Sequence, residues 1–219
     1  MLLGMVAKRK KDPPQRQPPD LPPHPNEKES ITGGEPIEDS RIAGLDLSGR
    51  KLTGFSAKSS IFEGVSFAGC HIPSPRFRDV RLVKCDLSNA KLRGFEATRV
   101  EFIDCRLTGM IAIECRWQDV LVENCDGRYA QISDGKLHAC EFKGSNFAEA
   151  DFRTTDLEGA IFTQVTLHRA DFSHSKLRSA DLRGAGIDGM IVTAEDVRGA
   201  IVSPTQAMDL ARLLGLVIK

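Results

Sequence analysis

The 219-residue chain is 41% apolar and carries 30 acidic and 30 basic side chains, enough apolar content to bury the core of one or two domains. A net charge of zero argues against nucleic acid or an anionic membrane as partner, since both select a basic excess on one face. No stretch approaches the roughly 18 consecutive apolar residues of a membrane helix.

The chain opens MLLGMVAKRKK, a short apolar stretch ahead of a basic cluster. That order is the reverse of a secretory signal, so the expected location is the cytoplasm. From Asp12 to Pro25 the sequence holds seven of the eleven prolines and a single large apolar side chain, Leu21. So little apolar surface does not offset the entropy of ordering, and residues 1–36 are predicted to be a disordered, proline-rich tail. Paired prolines favour an extended polyproline II conformation, suited to a semi-rigid linker or to a ligand for an aromatic groove.

Beyond about Ser40 a five-residue step takes over. Counting in fives from Ile42 through Leu47, Leu52, Phe62 and Phe67 to Val197, the phase never slips, and nine of the eleven phenylalanines and the only tryptophan fall on it. Neither a 3.6-residue helix nor a two-residue strand pattern generates this over such a length. Two residues before each anchor runs a smaller series that includes Val65, Cys70, Val80, Cys85, Ala90 and Cys105; residues two apart on an extended chain point the same way, so anchor and companion share an interior. Two residues after the anchor, glycine recurs, as at Gly44 and Gly49, or is replaced by Asn89, Asn124, Asp79, Asp104, Asp119 or Asp134. These are residues suited to corners. Where the anchor shrinks to alanine, at Ala57, Ala97 and Ala112, the companion grows to Phe55, Phe95 and Met110, conserving volume in a close-packed core. Arg50 and Glu195 fall at companion positions where charge is costly to bury, so the regular core is expected from about Leu52 to Val192.

The pentads ADFRT, TDLEG, ADFSH and ADLRG closely resemble those of pentapeptide-repeat proteins, over about Arg41 to Ala200. The resemblance implies an all-β fold: a right-handed quadrilateral β-helix of about eight coils, four pentapeptides to a coil, with residues twenty apart stacked. On this reading residues 37–202 form the β-helix. The end of the chain, 203–219, is predicted to be a C-terminal capping α-helix with a short tail strand. Within it Ser203, Pro204 and Gln206 set up the helix start, Ala207, Leu210, Ala211 and Leu214 form its apolar stripe, and Gly215 is its terminator.

The six cysteines all lie on the companion phase, where packing rather than a disulfide framework or zinc site is expected. The five histidines sit at outward or tail positions without ligand spacing, and no phosphate loop or nucleophile motif is present. The sequence therefore points to no catalytic residue, cofactor or metal, and to no small-molecule substrate. The functional expectation is a non-catalytic structural or protein-interaction module, with a protein partner or a second copy as its target. The candidate contact is an outward apolar patch of Val83, Ile103 and Leu121. The alternative comes from the family resemblance, since some members are thought to mimic duplex DNA and bind type II topoisomerases. Mimicry needs a sustained negative surface, and residues 41–200 hold 22 acidic and 22 basic side chains.

Overall fold

A computed structural model describes residues 15–31, 34–213 and 215–217. The strands among the described residues are β1 (Asn26–Glu27), β2 (Ile37–Glu38), β3 (Ser40–Ala43), β4 (Ser56–Glu63), β5 (Arg76–Val83), β6 (Glu96–Ile103), β7 (Arg116–Glu123), β8 (Lys136–His138), β9 (Glu141–Lys143) and β10 (Ile161–Thr163). All pair in parallel in one sheet, stacked in the order β1-β3-β4-β5-β6-β7-β9-β10, with β2 on β4 and β8 on β7. From β2 onward the register is twenty residues: Phe62 lies on Leu82, Leu82 on Phe102 and Phe102 on Val122; β1 meets β3 at a spacing of fourteen, Asn26 on Ser40. Four pentapeptides thus make one turn of a parallel β-solenoid, and the coils stack about 4.8 Å apart.

The other two walls advance by single bridges. The ladder through Asp46, Ser66, Asp86, Arg106, Asp126, Asn146, Thr166 and Gly186 takes seven steps, so the regular stretch makes slightly fewer turns than the eight expected. Backbone hydrogen bonds run along the axis, as where Leu87 N–H donates to Arg106 O at 2.7 Å and Lys91 N–H to Cys70 O at 2.8 Å. Corners fall two residues after each anchor. There Asp79, Asn89, Asp104, Asp119, Asn124 and Asp134 hold positive φ between 54° and 58°, a region in which Asn and Asp are the least penalised side chains after glycine.

Anchors and companions fill the interior. Up one wall Ala57, Phe77, Ala97 and Trp117 alternate small and large, while Phe55, Pro75, Phe95 and Cys115 alternate in the opposite sense two residues earlier. Each coil therefore receives one large group, and Phe77 meets Phe55 and Phe95 edge to face at 5.8 and 5.1 Å. The core is longer than expected. Leu47, Ile42 and Ile37 are sealed, and Ile31 is 5% exposed, because β1 and β2 lay a further partial coil under β3 and β4.

Residues 15–31 also depart from the disordered tail expected for 1–36. They lie against the solenoid, with Gln17 N–H donating to Asp119 Oδ1 and Asp20 N–H to Asp79 Oδ1, both at 3.0 Å. Two physical terms account for the order. Prolines lose little freedom on ordering because φ is already fixed, and bonds to ionised carboxylates are stronger than neutral ones. The expectation for residues 1–14, including the basic cluster, lies outside the described residues.

The far end closes with α1 (Pro204–Leu213). Its capping box is reciprocal: Ser203 N–H donates to Gln206 Oε1 at 2.9 Å, and Gln206 N–H to Ser203 Oγ at 3.3 Å. Gln206 Nε2 also donates to Leu182 O and Ala185 O, at 2.6 and 2.8 Å, giving Ala185 O a donor and Leu182 O a second one beside the Ala185 N–H. The helix stops at Gly215 (φ 84°), with Leu216 N–H reaching back to Ala211 O at 2.9 Å, a Schellman closure. Residues 215–217 carry no strand.

Candidate interaction surface

The inward cysteines are packing groups. Each thiol named next donates to a carbonyl twenty-three residues back: Cys70 to Leu47 O at 2.9 Å, Cys85 to Phe62 O at 3.4 Å, Cys105 to Leu82 O at 3.4 Å. Ser145 and Thr155 take the same role, at 3.2 Å to Val122 O and 2.8 Å to Ile132 O. Burial pushes the Cys115 thiol up to about 12. Cys105 rises to about 12 through its contact with Cys125 and through burial. Such thiols stay protonated and unreactive at neutral pH. Among the described residues no group of three His, Cys, Asp or Glu is placed to hold a metal ion.

Outside, the twenty-residue register brings opposite charges together on successive coils. Arg99 grips Asp79 with two hydrogen bonds, of 2.6 and 2.7 Å. Arg81 meets Glu101 at 2.7 Å, Lys143 meets Glu123 at 2.7 Å and Arg106 meets Asp86 at 3.1 Å. Within a coil, Arg128, Arg153 and Arg183 each turn back onto the aspartate two residues earlier. Asp151 and Asp171 do stack, in a column that runs Lys51, His71, Lys91, Ile111, Gln131, Asp151, Asp171, Ile191, and Arg153 lies within 3.8 Å of both carboxylates. The acids of these pairs are neutralised where they stand.

On the wall of β4 to β6 that precedes the corner, a cleft of about 310 Å³ is lined by Lys58, Arg76, Arg78, Glu38 and Glu96, with Ala57 and Phe77 among its apolar lining. The wall after that corner carries the expected apolar patch. Val83 and Ile103 are register partners and both are half-buried. Leu121 belongs to the neighbouring column, between Glu101 and Glu141, and is only 8% exposed. The reason is Arg16, whose guanidinium lies 3.3 Å from Glu101 and 3.8 Å from Glu141 and so spans the coil that holds Leu121. The solenoid thus offers Val83 and Ile103 at its surface, while an extended segment of its own chain covers Leu121. Sequence reading missed the residues that hold this segment: Arg16, Gln17 and Asp20 on one side, Asp79, Glu101 and Asp119 on the other. Their signal is a corner aspartate recurring after forty residues.

Comparison with protein families agrees with this architecture. The model of the pentapeptide repeat region matches residues 75–152, and that of pentapeptide repeats in eight copies matches residues 145–184. The chain belongs to the pentapeptide-repeat family. No curated protein matches this pentapeptide-repeat sequence. Among solved structures it is similar to QnrB1, a plasmid-mediated fluoroquinolone resistance protein, in trypsin-treated form, at 22% identity over 85% of this chain and 91% of that one, with a TM-score of 0.41. It is also similar to HetL of Nostoc sp. strain PCC 7120, involved in heterocyst differentiation regulation, at 19% identity over 78% and 91% of the two chains, TM-score 0.34. A pentapeptide repeat protein of the Arabidopsis thaliana thylakoid lumen is 18% identical over 49% and 72%, TM-score 0.41. Among the described residues of the pentapeptide-repeat protein no helix is long and apolar enough to cross a membrane.

Proposed function

We propose that this pentapeptide-repeat protein is a non-catalytic interaction module whose rigid outer wall receives an extended segment of a protein partner. The observation that supports it is the docked segment 15–23: the wall already holds a stretch of extended polypeptide through carboxylates fixed by the coil. The accessible remainder of the patch, Val83 and Ile103, supplies apolar contact beside it, for a partner or for a second copy in a homodimer. Six unpaired cysteines fit a reducing compartment, the cytoplasm. The test is capture of partners by wild-type protein and by Ile103→Asp, with analytical ultracentrifugation of both. Loss of a captured protein, or of a dimer, supports the reading; identical capture and identical mass remove the patch from it.

The alternative, a DNA-mimicking modulator of a type II topoisomerase, needs an uninterrupted acidic stripe. The cross-coil pairs Asp79 with Arg99, Asp86 with Arg106 and Glu123 with Lys143 work against it. Inhibition of gyrase supercoiling by the purified protein would favour this alternative over the module.

A further inference from the structure

The docked segment has a period of its own. Between residues 15 and 28 the half-buried positions are Arg16, Pro19, Pro22, Pro25 and Lys28, one in every three, joined only by Leu21. Three residues per turn is the period of a polyproline II helix, so one edge of such a helix faces the wall. The backbone donors obey the same count, since Gln17 and Asp20 are three apart and bond to Asp119 and Asp79, forty apart. Forty residues are two coils, about 9.6 Å along the axis. Three residues of polyproline II advance about 9.3 Å. The two rulers agree to within a few tenths of an ångström.

The seat itself belongs to the solenoid. Asp79 and Asp119 are each 5% exposed and sit at left-handed corners, φ 57° and 58°. Arg99 fixes the first with two hydrogen bonds, and Gln118 Nε2 donates to the second at 3.4 Å. Farther along the wall, Glu101 and Glu141 clamp Arg16. The seat therefore reads a conformation and a spacing, through backbone N–H groups between proline pairs, together with one arginine ahead of them.

We propose that this corner is a recognition site for proline-rich polyproline II segments with a leading arginine, supplied by a partner protein, and that residues 15–25 occupy it as a built-in competitor. The proposal rests on the interaction-module reading and names the chemistry of the partner segment. Proline pairs suit the role because the bound conformation is already dominant in the free segment, which lowers the entropic cost of docking.

The test uses the full chain with its own segment weakened by Arg16→Ala, Pro18→Gly and Pro19→Gly, all outside the core. Circular dichroism checks folding, and hydrogen exchange at the Asp20 amide reports release of the segment. A fluorescent peptide of residues 15–25, QRQPPDLPPHP, is then titrated by anisotropy. Expected is binding to the weakened chain at least 10-fold tighter than to wild type. Adding Asp119→Gly is expected to lower that affinity at least 10-fold; glycine already serves the same corner column at Gly159 and Gly199, so the fold survives. A peptide with one glycine inserted between Pro19 and Asp20 is expected not to bind, since it breaks the three-residue spacing. The proposal is overturned by no binding to the weakened chain, by binding indifferent to Asp119→Gly or to the insertion, or by Asp20 protection unchanged without Pro18 and Pro19. If the peptide fails while Ile103→Asp still loses a partner, the module reading stands and this proposal falls.

Discussion

Gly127 occupies an inward anchor position, where the repeat mostly places Leu or Phe, and its neighbour one coil on explains why. A Cβ at Gly127 would lie 2.6 Å from Cδ1 and 2.8 Å from Cζ of Phe147. That ring is sealed and held by Phe142 and Phe152, with centroids 5.4 and 5.6 Å away, so it has nowhere to turn. The φ of Gly127 lies outside the left-handed region, and alanine meets no backbone strain. Gly127→Ala is therefore a test of packing alone. Overpacking costs about 1–3 kcal/mol, against a gain of about 0.4–1 kcal/mol from a less flexible unfolded chain. The net is a loss of about 1–2 kcal/mol, or about 3–6 °C in Tm for a chain of this size. Phe147→Leu removes the obstructing ring at a cost of about 1.5 kcal/mol. The double variant should then be more stable than the two losses summed, with a coupling energy of about 1–2 kcal/mol. Urea titrations of the four proteins by far-UV circular dichroism give the cycle. Hydrogen exchange in the coils of Gly127 and Phe147 guards against partial unfolding of a repeat array. An unchanged Gly127→Ala, or a strictly additive double variant, would refute the packing argument.

Gln206→Ala removes one half of the capping box and both bonds to the last coil, and is expected to cost about 2–3 kcal/mol. Hydrogen exchange should rise first in α1 and the coil of Leu182 and Ala185; a rise spread evenly along the rod would contradict this. Arg128 and Arg183 hold Asp126 and Asp181 below the usual carboxylate range. Because their folded pKa lies below the unfolded one, their stabilisation is complete above about pH 4 and is lost as pH falls through the folded value. Urea midpoints should stay level from pH 7 to 5 and decline below about pH 4, whereas a midpoint rising in acid would reverse the sign. The six cysteines are all buried, so Ellman's reagent is expected to find none in the native protein and all six in guanidinium. Fast reaction of even one native thiol would contradict the packing role.

The sequence made the interior legible because two constraints coincide there. The five-residue phase placed Phe55, Phe95 and Met110 inward together with their alanine partners, and all three are 1% exposed or less. The capping box was equally readable, since its bonds are local and its spacing is fixed. The docked segment was not. Composition rightly finds little apolar surface between Asp12 and Pro25, but the segment is held by backbone donors and by carboxylates about sixty to a hundred residues away, which composition does not weigh. Gly127 was unreadable for a related reason: on the inward phase it suggests a gap, and only the coil above shows that Phe147 fills it. Leu121 looked outward by phase and is outward, yet Arg16 covers it.

The interior and the exterior of this rod count differently. An insertion of five residues would leave every later anchor pointing inward, yet rotate all that follows by a quarter turn. Placed between Asp79 and Arg99, it would take Arg99 from over Asp79 and move Asp119 off the corner column of Asp79; placed between Glu123 and Lys143, it would part that pair instead. Only an insertion of twenty preserves both the hydrophobic core and the pattern on its walls. The core therefore tolerates lengthening in small steps that the surface forbids, and the length of the rod can drift by whole coils while whatever reads its walls sees the same columns.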